Sequence, residues 1–150
     1  MAGTGAGSSA DDGVTVTLRL PSSPAHVRTA RLIAAAMARR SGVGEEVLDE
    51  VRLAVGEACS RAVRLHERQG LTVPVTVEFG EVGRFRVAVV DGAKVGTGDE
   101  MSPVAGPGAP WADPSGDALG LALLGAVVQD LSVEENPAGG SRVTMSWPVG

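Results

Sequence analysis

The sequence predicts an α+β fold, a two-layer sandwich in which helices cover one face of a mainly antiparallel sheet. Several segments, such as VTVTLRL at 14–20, alternate apolar and polar residues as strands with one buried face do. Two longer segments carry apolar residues at helical spacing and follow the first strand directly. The resulting order, β-α-α-β-β-loop-α-β-β, places neighbouring strands in hairpins and gathers the helices on one side.

Length and composition restrict the class of protein. The 150 residues, 43% hydrophobic and 21% charged, predict one globular domain at 14–150, preceded by a disordered arm of small residues at 1–13. A net charge of −5 argues against a nucleic-acid partner. No apolar segment approaches the ~20 residues of a membrane span. The single cysteine excludes an internal disulfide and suits a reducing cytosol, so we expect a cytoplasmic protein.

The first half of the chain supplies one strand and two helices. After the strand at 14–20, PSSP ends the extended segment, and Ser23 before Pro24 is predicted to cap a helix over 25–40. SGVG separates it from a second helix over 45–68.

The second half begins with two strands joined by a tight turn at GEVG, 80–83. Pro74 predicts that the first of them lies at a sheet edge or begins after that residue. Residues 92–115 are rich in glycine and proline and predict a functional lid or disorder. A short apolar helix within DALGLALLGAVVQD and a final hairpin complete the chain.

The second helix carries two distinct faces. Its apolar face places Cys59 in the core, which favours a buried small hydrophobe over a nucleophile. Glu57 and Arg61 lie one helical turn apart on a charged face. Taken alone, this pair is most simply a solvated ion pair worth about 0.3–0.5 kcal/mol.

The order of these features resembles the nucleotide-binding fold of histidine-kinase-type ATPases. The segments VRLAVGEACSRAVRLH and GLALLGAVVQDLSVEENPAGGSRVTMSWP are most similar to the short anti-sigma-factor serine kinases of that superfamily. The resemblance covers about 14–148, nearly the whole chain. It implies ATP or ADP with Mg²⁺ as cofactors, and a sigma factor or an anti-anti-sigma protein as partner.

The resemblance assigns Glu57 as the general base, or as the residue that orients the attacking hydroxyl. Arg61 then stands where the family has an asparagine that holds magnesium. Arginine has donors and a fixed positive charge but no acceptor, so it repels the metal. Arg61 would instead contact a phosphate directly or neutralise Glu57. No residue spacing in the sequence predicts a separate metal site.

Both glycine motifs of the family are altered in DGAKV and GDALGL. Asp91 matches the aspartate that bonds adenine, or is simply a turn residue at a strand end. Ala93 stands at a glycine position, where its Cβ crowds the ligand. In the second motif Gly116 and Gly120 are kept, and Ala118 replaces the middle glycine. This helix start would bind phosphate in the family.

Three functions follow from the resemblance. We expect a regulator of transcription that acts by protein binding, as a homodimer built on the first strand and first helix, with weak or lost ATP binding and kinase activity. The alternatives are an active serine kinase that phosphorylates an anti-anti-sigma factor and a pseudo-kinase partner of an active paralogue. Efficient phosphoryl transfer needs accurately placed Mg²⁺ and phosphates. The substitutions in the helix motif and in both glycine motifs therefore argue against it.

Overall fold

The computed structural model of the chain describes residues 15–94 and 117–150, with only the backbone for 117–119. The predicted arm at 1–13 and nearly all of the predicted lid lie outside the described residues. The elements in chain order are β1 (Thr15–Leu20), α1 (Val27–Ser41), α2 (Leu48–Gln69), β2 (Val75–Glu81), β3 (Arg84–Asp91), α3 (Asp117–Val127), β4 (Asp130–Glu135) and β5 (Ser141–Pro148).

The strands form one five-stranded sheet in the order β1-β2-β3-β5-β4. Every pairing is antiparallel, and the central register places Val87 opposite Met145 and Phe85 opposite Trp147. Side chains alternate between the two faces of such a sheet, so these apolar residues share one face. The predicted α+β sandwich is confirmed.

The first two helices lie where the sequence predicts, with bounds that differ from the predicted ones by one to three residues. Pro24–His26 forms a single 3₁₀ turn before α1, and the Ser23 hydroxyl accepts a hydrogen bond from the Ala25 amide at 3.4 Å. Gly42 ends α1 and Gly70 ends α2, with φ angles of 98° and 66°. Glycine adopts these left-handed conformations without steric cost, and each helix ends one residue beyond its predicted end.

The core lies between the sheet and the helices. Apolar side chains of α1 and α2 pack on Val77, Phe79 and Val89 from the sheet. Cys59 belongs to this core, as predicted, and Trp147 closes one end of it with a hydrogen bond from its indole to Glu50 at 2.8 Å. No helix in the described ranges is long and apolar enough to cross a membrane.

The hairpin and the proline behave as the sequence predicts. A two-residue turn that includes Gly83, with φ of 72°, joins β2 to β3. Strand β2 begins at Val75, directly after Pro74, and lies inside the sheet between β1 and β3. Of the two interpretations of Pro74, the later start of the strand is therefore the right one.

Candidate functional site

Asp91 ends β3 with its side chain on the helix-covered face of the sheet, 4% exposed. Its Oδ1 atom accepts a hydrogen bond from the Ala93 amide at 2.9 Å. Its Oδ2 atom accepts one from the Ser141 hydroxyl at 2.6 Å. Asp91 thus links the segment that follows β3 to Ser141, the first residue of β5.

Arg61 reaches this carboxylate from α2. Its Nη1 atom lies 3.6 Å from Asp91 Oδ2 and donates to Ser141 Oγ at 3.3 Å. The guanidinium is nearly buried, at 10% side-chain exposure. A charged group that is removed from water needs a partner of opposite charge, and Asp91 supplies it.

The expected ion pair between Glu57 and Arg61 is therefore wrong. Arg61 pairs with Asp91, while Glu57 Oε2 lies 3.6 Å from Arg64 Nη2. The expectation that Arg61 lies on a solvated face also fails, because the turn of α2 that carries it faces β3 and β5. Spacing along the helix identified Glu57 and Arg61 as possible partners, but contacts with other elements determine which ion pairs form.

Glu57 lies against the first turns of α3. A Cβ atom added at Gly120 would stand 2.7 Å from Glu57 Oε2, so the carboxylate would have to move aside. The missing side chain at Gly120 thus leaves room for the carboxylate. The structure brings these two predicted site residues together. Gly116 and the side chain of Ala118 lie outside the described residues.

The segment after β3 is held by the end of α2. The Gly92 amide donates to His66 Nε2 at 2.9 Å, and His66 Nδ1 lies 3.1 Å from the Val73 carbonyl. Gln69 exchanges two hydrogen bonds of 2.8 Å with the backbone of Lys94. His66 is fully buried. Its helical position gave no signal of this role.

Ala93 fits this segment without strain. Its side chain is 4% exposed, and no residue other than glycine has a positive φ within 15–94 and 117–150. The Gly140 amide donates to the Ala93 carbonyl at 2.8 Å. A Cβ at Gly140, whose φ is 103°, would lie 2.3 Å from the Asp91 carbonyl oxygen. At this site Gly140, and not residue 93, is therefore the position where the absence of a side chain lets two backbone segments approach closely.

The charges at this site are paired within the protein. Asp91 faces Arg61, and Glu57 faces Arg64. In the part of the chain that the structure describes, no group of three or more His, Cys, Asp or Glu side chains could hold a metal ion. Arg61 provides hydrogen-bond donors and positive charge, which suit an anion and not Mg²⁺.

Comparison with known proteins agrees with the fold. The family model described as the histidine kinase-like ATPase domain matches residues 20–147. The serine-protein kinase RsbW of Bacillus velezensis is 28% identical over 125 residues, which cover 81% of this chain and 78% of that protein. RsbW of Bacillus subtilis is 26% identical over a stretch of the same length and coverage.

A solved structure shares the architecture. The RsbU and RsbW domains of Rv1364c from Mycobacterium tuberculosis superpose with a TM-score of 0.63 and 17% identity. The match covers 90% of this chain and 32% of that one, so the present chain spans about a third of it. The chain belongs to the histidine kinase-like ATPase domain family, and the predicted relationship to its anti-sigma-factor serine kinases is confirmed.

Proposed function

We propose that this chain is a regulator of transcription that binds a sigma factor or an anti-anti-sigma protein, with nucleotide binding and kinase activity weak or lost. One observation carries the proposal. Arg61, at the position of the family's metal ligand, pairs with Asp91, at the position of its adenine-binding residue. A single internal ion pair thus engages two positions that a nucleotide would need.

The geometry supports competition between this pair and a ligand. Both oxygen atoms of Asp91 already accept hydrogen bonds, and the carboxylate is buried. A nucleotide that recruited Asp91 would have to share or displace Arg61 and Ser141. Displacing Arg61 would leave the buried Asp91 carboxylate without this cation, which costs several kcal/mol.

Calorimetric titration with ATP and ADP, with and without Mg²⁺, tests the nucleotide part of the proposal. We expect no binding by the wild-type chain at millimolar nucleotide. Arg61→Asn restores the family's residue, and magnesium-dependent binding in that variant would show that Arg61 alone blocks the site. Absence of binding in Arg61→Asn as well would attribute the block to Ala93 and the second glycine motif.

An active serine kinase is the competing function. Glu57, the assigned base, keeps its place beside Gly120, which favours this alternative. Tight Mg²⁺-dependent ATP binding by the wild-type chain, with phosphate transfer to a serine of a co-purified partner, would overturn the proposal. A pseudo-kinase that supports an active paralogue would instead raise the activity of that paralogue on mixing.

We also propose a homodimer through β1 and α1. Strand β1 is an edge strand, and Val16 on it is 37% exposed although it faces the helix side of the sheet. An edge with unpaired amides and carbonyls can pair with a second copy. Light scattering of the wild type and of Val16→Lys would test it, since a charge at this edge should favour the monomer.

A further inference from the structure

The sheet ends at β1 on one side and at β4 on the other. All six residues of β4 pair with β5, and among the described strands none pairs with the opposite edge of β4. In an antiparallel pair, alternate residues direct their amide and carbonyl groups away from the partner strand. Every residue of β4 except Leu131 is exposed. This edge therefore presents an open row of backbone donors and acceptors.

The β4 edge is ordered before any partner arrives. In the turn that follows it, the Asn136 amide donates to the Gly140 carbonyl at 2.9 Å, and the Gly139 amide donates to the Asn136 carbonyl at 2.8 Å. The side chain of Asn136 accepts a further hydrogen bond from the Ala138 amide at 2.9 Å. Leu131, near the other end of the strand, packs against the core. A strand that is already fixed in this way loses little conformational entropy when it pairs with another segment.

The charge of β4 is entirely negative, since the strand carries three carboxylates and no basic residue. Asp130 pairs with a guanidinium of β3. Glu134 lies opposite Arg142 in the register, but Arg142 pairs with Glu78 at 2.7 Å. Within the described ranges, neither Glu134 nor Glu135 belongs to an ion pair. The negative charge at the end of this edge is therefore available to a partner.

The two faces of β4 differ in chemistry, because successive side chains of a strand point to opposite faces of the sheet. Leu131 packs into the core, so Val133 lies on the same helix-covered face. Val133 is nevertheless 41% exposed, because it lies at the edge. Asp130 and Glu134 lie on the opposite face. An added strand would therefore meet carboxylates on one face and an apolar side chain on the other.

Charge determines which strand can pair at this edge. Charged side chains on an edge strand protect it against pairing with other chains. A second copy of β4 would place carboxylates opposite carboxylates, which is destabilising. In the proposed homodimer β1 is already paired, which leaves each β4 at an outer end of the joined sheet. For a basic strand the same carboxylates are attractive, so the edge discriminates between strands by their charge.

We propose that β4 binds an extended, basic segment of a partner protein as a sixth strand of the sheet. The segment alternates basic and apolar residues, so that basic side chains meet Asp130 and Glu134 while an apolar side chain covers Val133. In strand addition the backbone hydrogen bonds provide affinity and the alternating side chains provide specificity. The inference rests on the proposed function only in that the chain acts by binding another protein, and it adds a surface that includes neither Arg61 nor Asp91.

The test titrates the whole chain with three nine-residue peptides whose ends are blocked. The lysine peptide alternates lysine and valine, with threonine at its centre. The proline peptide keeps all the lysines but has proline at its fourth and fifth positions, so one of the missing amides faces β4 in either register. The glutamate peptide has glutamate in place of every lysine. We expect saturable binding of the lysine peptide, at least about tenfold weaker binding of the proline peptide, and no detectable binding of the glutamate peptide.

Amide exchange followed by NMR locates the bound peptide. The lysine peptide should slow exchange at alternate residues of β4, because those amides gain backbone acceptors. It should leave the amides of β1 unchanged. Equal affinity for the lysine and proline peptides would mean attraction of charges without strand pairing and would overturn the proposal. Slower exchange at β1 instead of β4 would overturn the choice of edge.

Charge-reversal variants test the role of the carboxylates. Glu134→Lys and Glu135→Lys should each weaken binding of the lysine peptide about threefold to tenfold, since each replaces an attraction by a repulsion. Glu81→Lys makes the same change in net charge at an exposed glutamate of β2 and should leave the affinity nearly unchanged. Equal affinity in all three variants would overturn the proposal, because net charge alone would then explain the binding.

Failure of this inference and failure of the proposed function give different results. Absence of lysine-peptide binding by the wild type would overturn the β4 inference and leave the nucleotide titrations unchanged. Mg²⁺-dependent ATP binding by the wild type would contradict the loss of the nucleotide site and leave peptide binding unaffected. Arg61→Asn should bind the lysine peptide as tightly as the wild type does, since the proposed surface does not include Arg61.

Discussion

Arg61 Nη1 lies 3.6 Å from Asp91 Oδ2, and the two side chains are 10% and 2% exposed. The residues are thirty positions apart and come from different motifs, one on α2 and one at the end of β3. Ser141 bridges them through its hydroxyl. The pair therefore links α2 to the end of β3 and to the first residue of β5.

Removing one member of this pair should destabilise the fold. Arg61→Ala leaves the Asp91 carboxylate buried without its cation, and we expect a loss of about 3 kcal/mol in the free energy of unfolding. Asp91→Ala should cost a similar amount. Urea denaturation of both single variants and of the double variant gives the coupling energy, expected at about 1–3 kcal/mol. A coupling energy near zero would mean that the two charges do not interact in solution.

Substitution of two glycines in α3 should have opposite effects. Gly120→Ala places a methyl group 2.7 Å from Glu57 Oε2, so the end of the Glu57 side chain must move aside, which should cost about 0.5–1.5 kcal/mol in side-chain strain. Gly125→Ala meets no atom closer than 3.9 Å and should stabilise the helix by up to about 1 kcal/mol. Thermal unfolding compares the two variants. Truncation of the carboxylate in Glu57→Ala should remove most of the cost of Gly120→Ala, and a persistent cost would place the clash elsewhere.

His66 and Gln69 should protect different backbone amides from hydrogen exchange. His66→Ala deprives the Gly92 amide of its acceptor and opens a cavity where the buried imidazole lay, for a cost of about 2–4 kcal/mol. Gln69→Ala removes hydrogen bonds to Lys94 that are exposed to solvent, and each is worth about 1 kcal/mol or less. Under conditions where both variants remain folded, amide exchange should accelerate mainly at Gly92 in the first and at Lys94 in the second. Identical exchange patterns would indicate general loosening of the α2 terminus.

Cys59 should be unreactive in the folded protein. Burial raises the pKa of its thiol from 9.0 to about 12, because the thiolate would be formed away from water. The unfolded thiol ionises near its ordinary pKa, so stability is retained below pH 9 and falls by up to ~1.4 kcal/mol per pH unit between 9 and 12.

Two measurements check the cysteine prediction. Alkylation by iodoacetamide at pH 8 should be slow for the folded chain and rapid in urea. Urea midpoints between pH 8 and pH 11 should fall more steeply for the wild type than for Cys59→Ala, which lacks the titrating group. Parallel curves for the two proteins would show that the thiol contributes nothing to the pH dependence.

The sequence by itself determined the architecture. Alternation in VTVTLRL, helical spacing around Cys59, and the SGVG break after the first helix are local signals, and each one predicts its element or its end without knowledge of the rest. The motifs on α2 and α3 also sufficed to predict the family, because the order of elements carries that information.

Only the tertiary structure decided which charges meet. Glu57 and Arg61 are neighbours on a helix, but the energy of an exposed pair of this kind is a few tenths of a kcal/mol. Burial against β3 makes it far more costly to separate Arg61 from Asp91, because a buried carboxylate would lose its cation. The position of His66 beneath Gly92 and that of Arg31 on Gly56 likewise depend on how the helices pack, which periodicity along one chain segment does not encode.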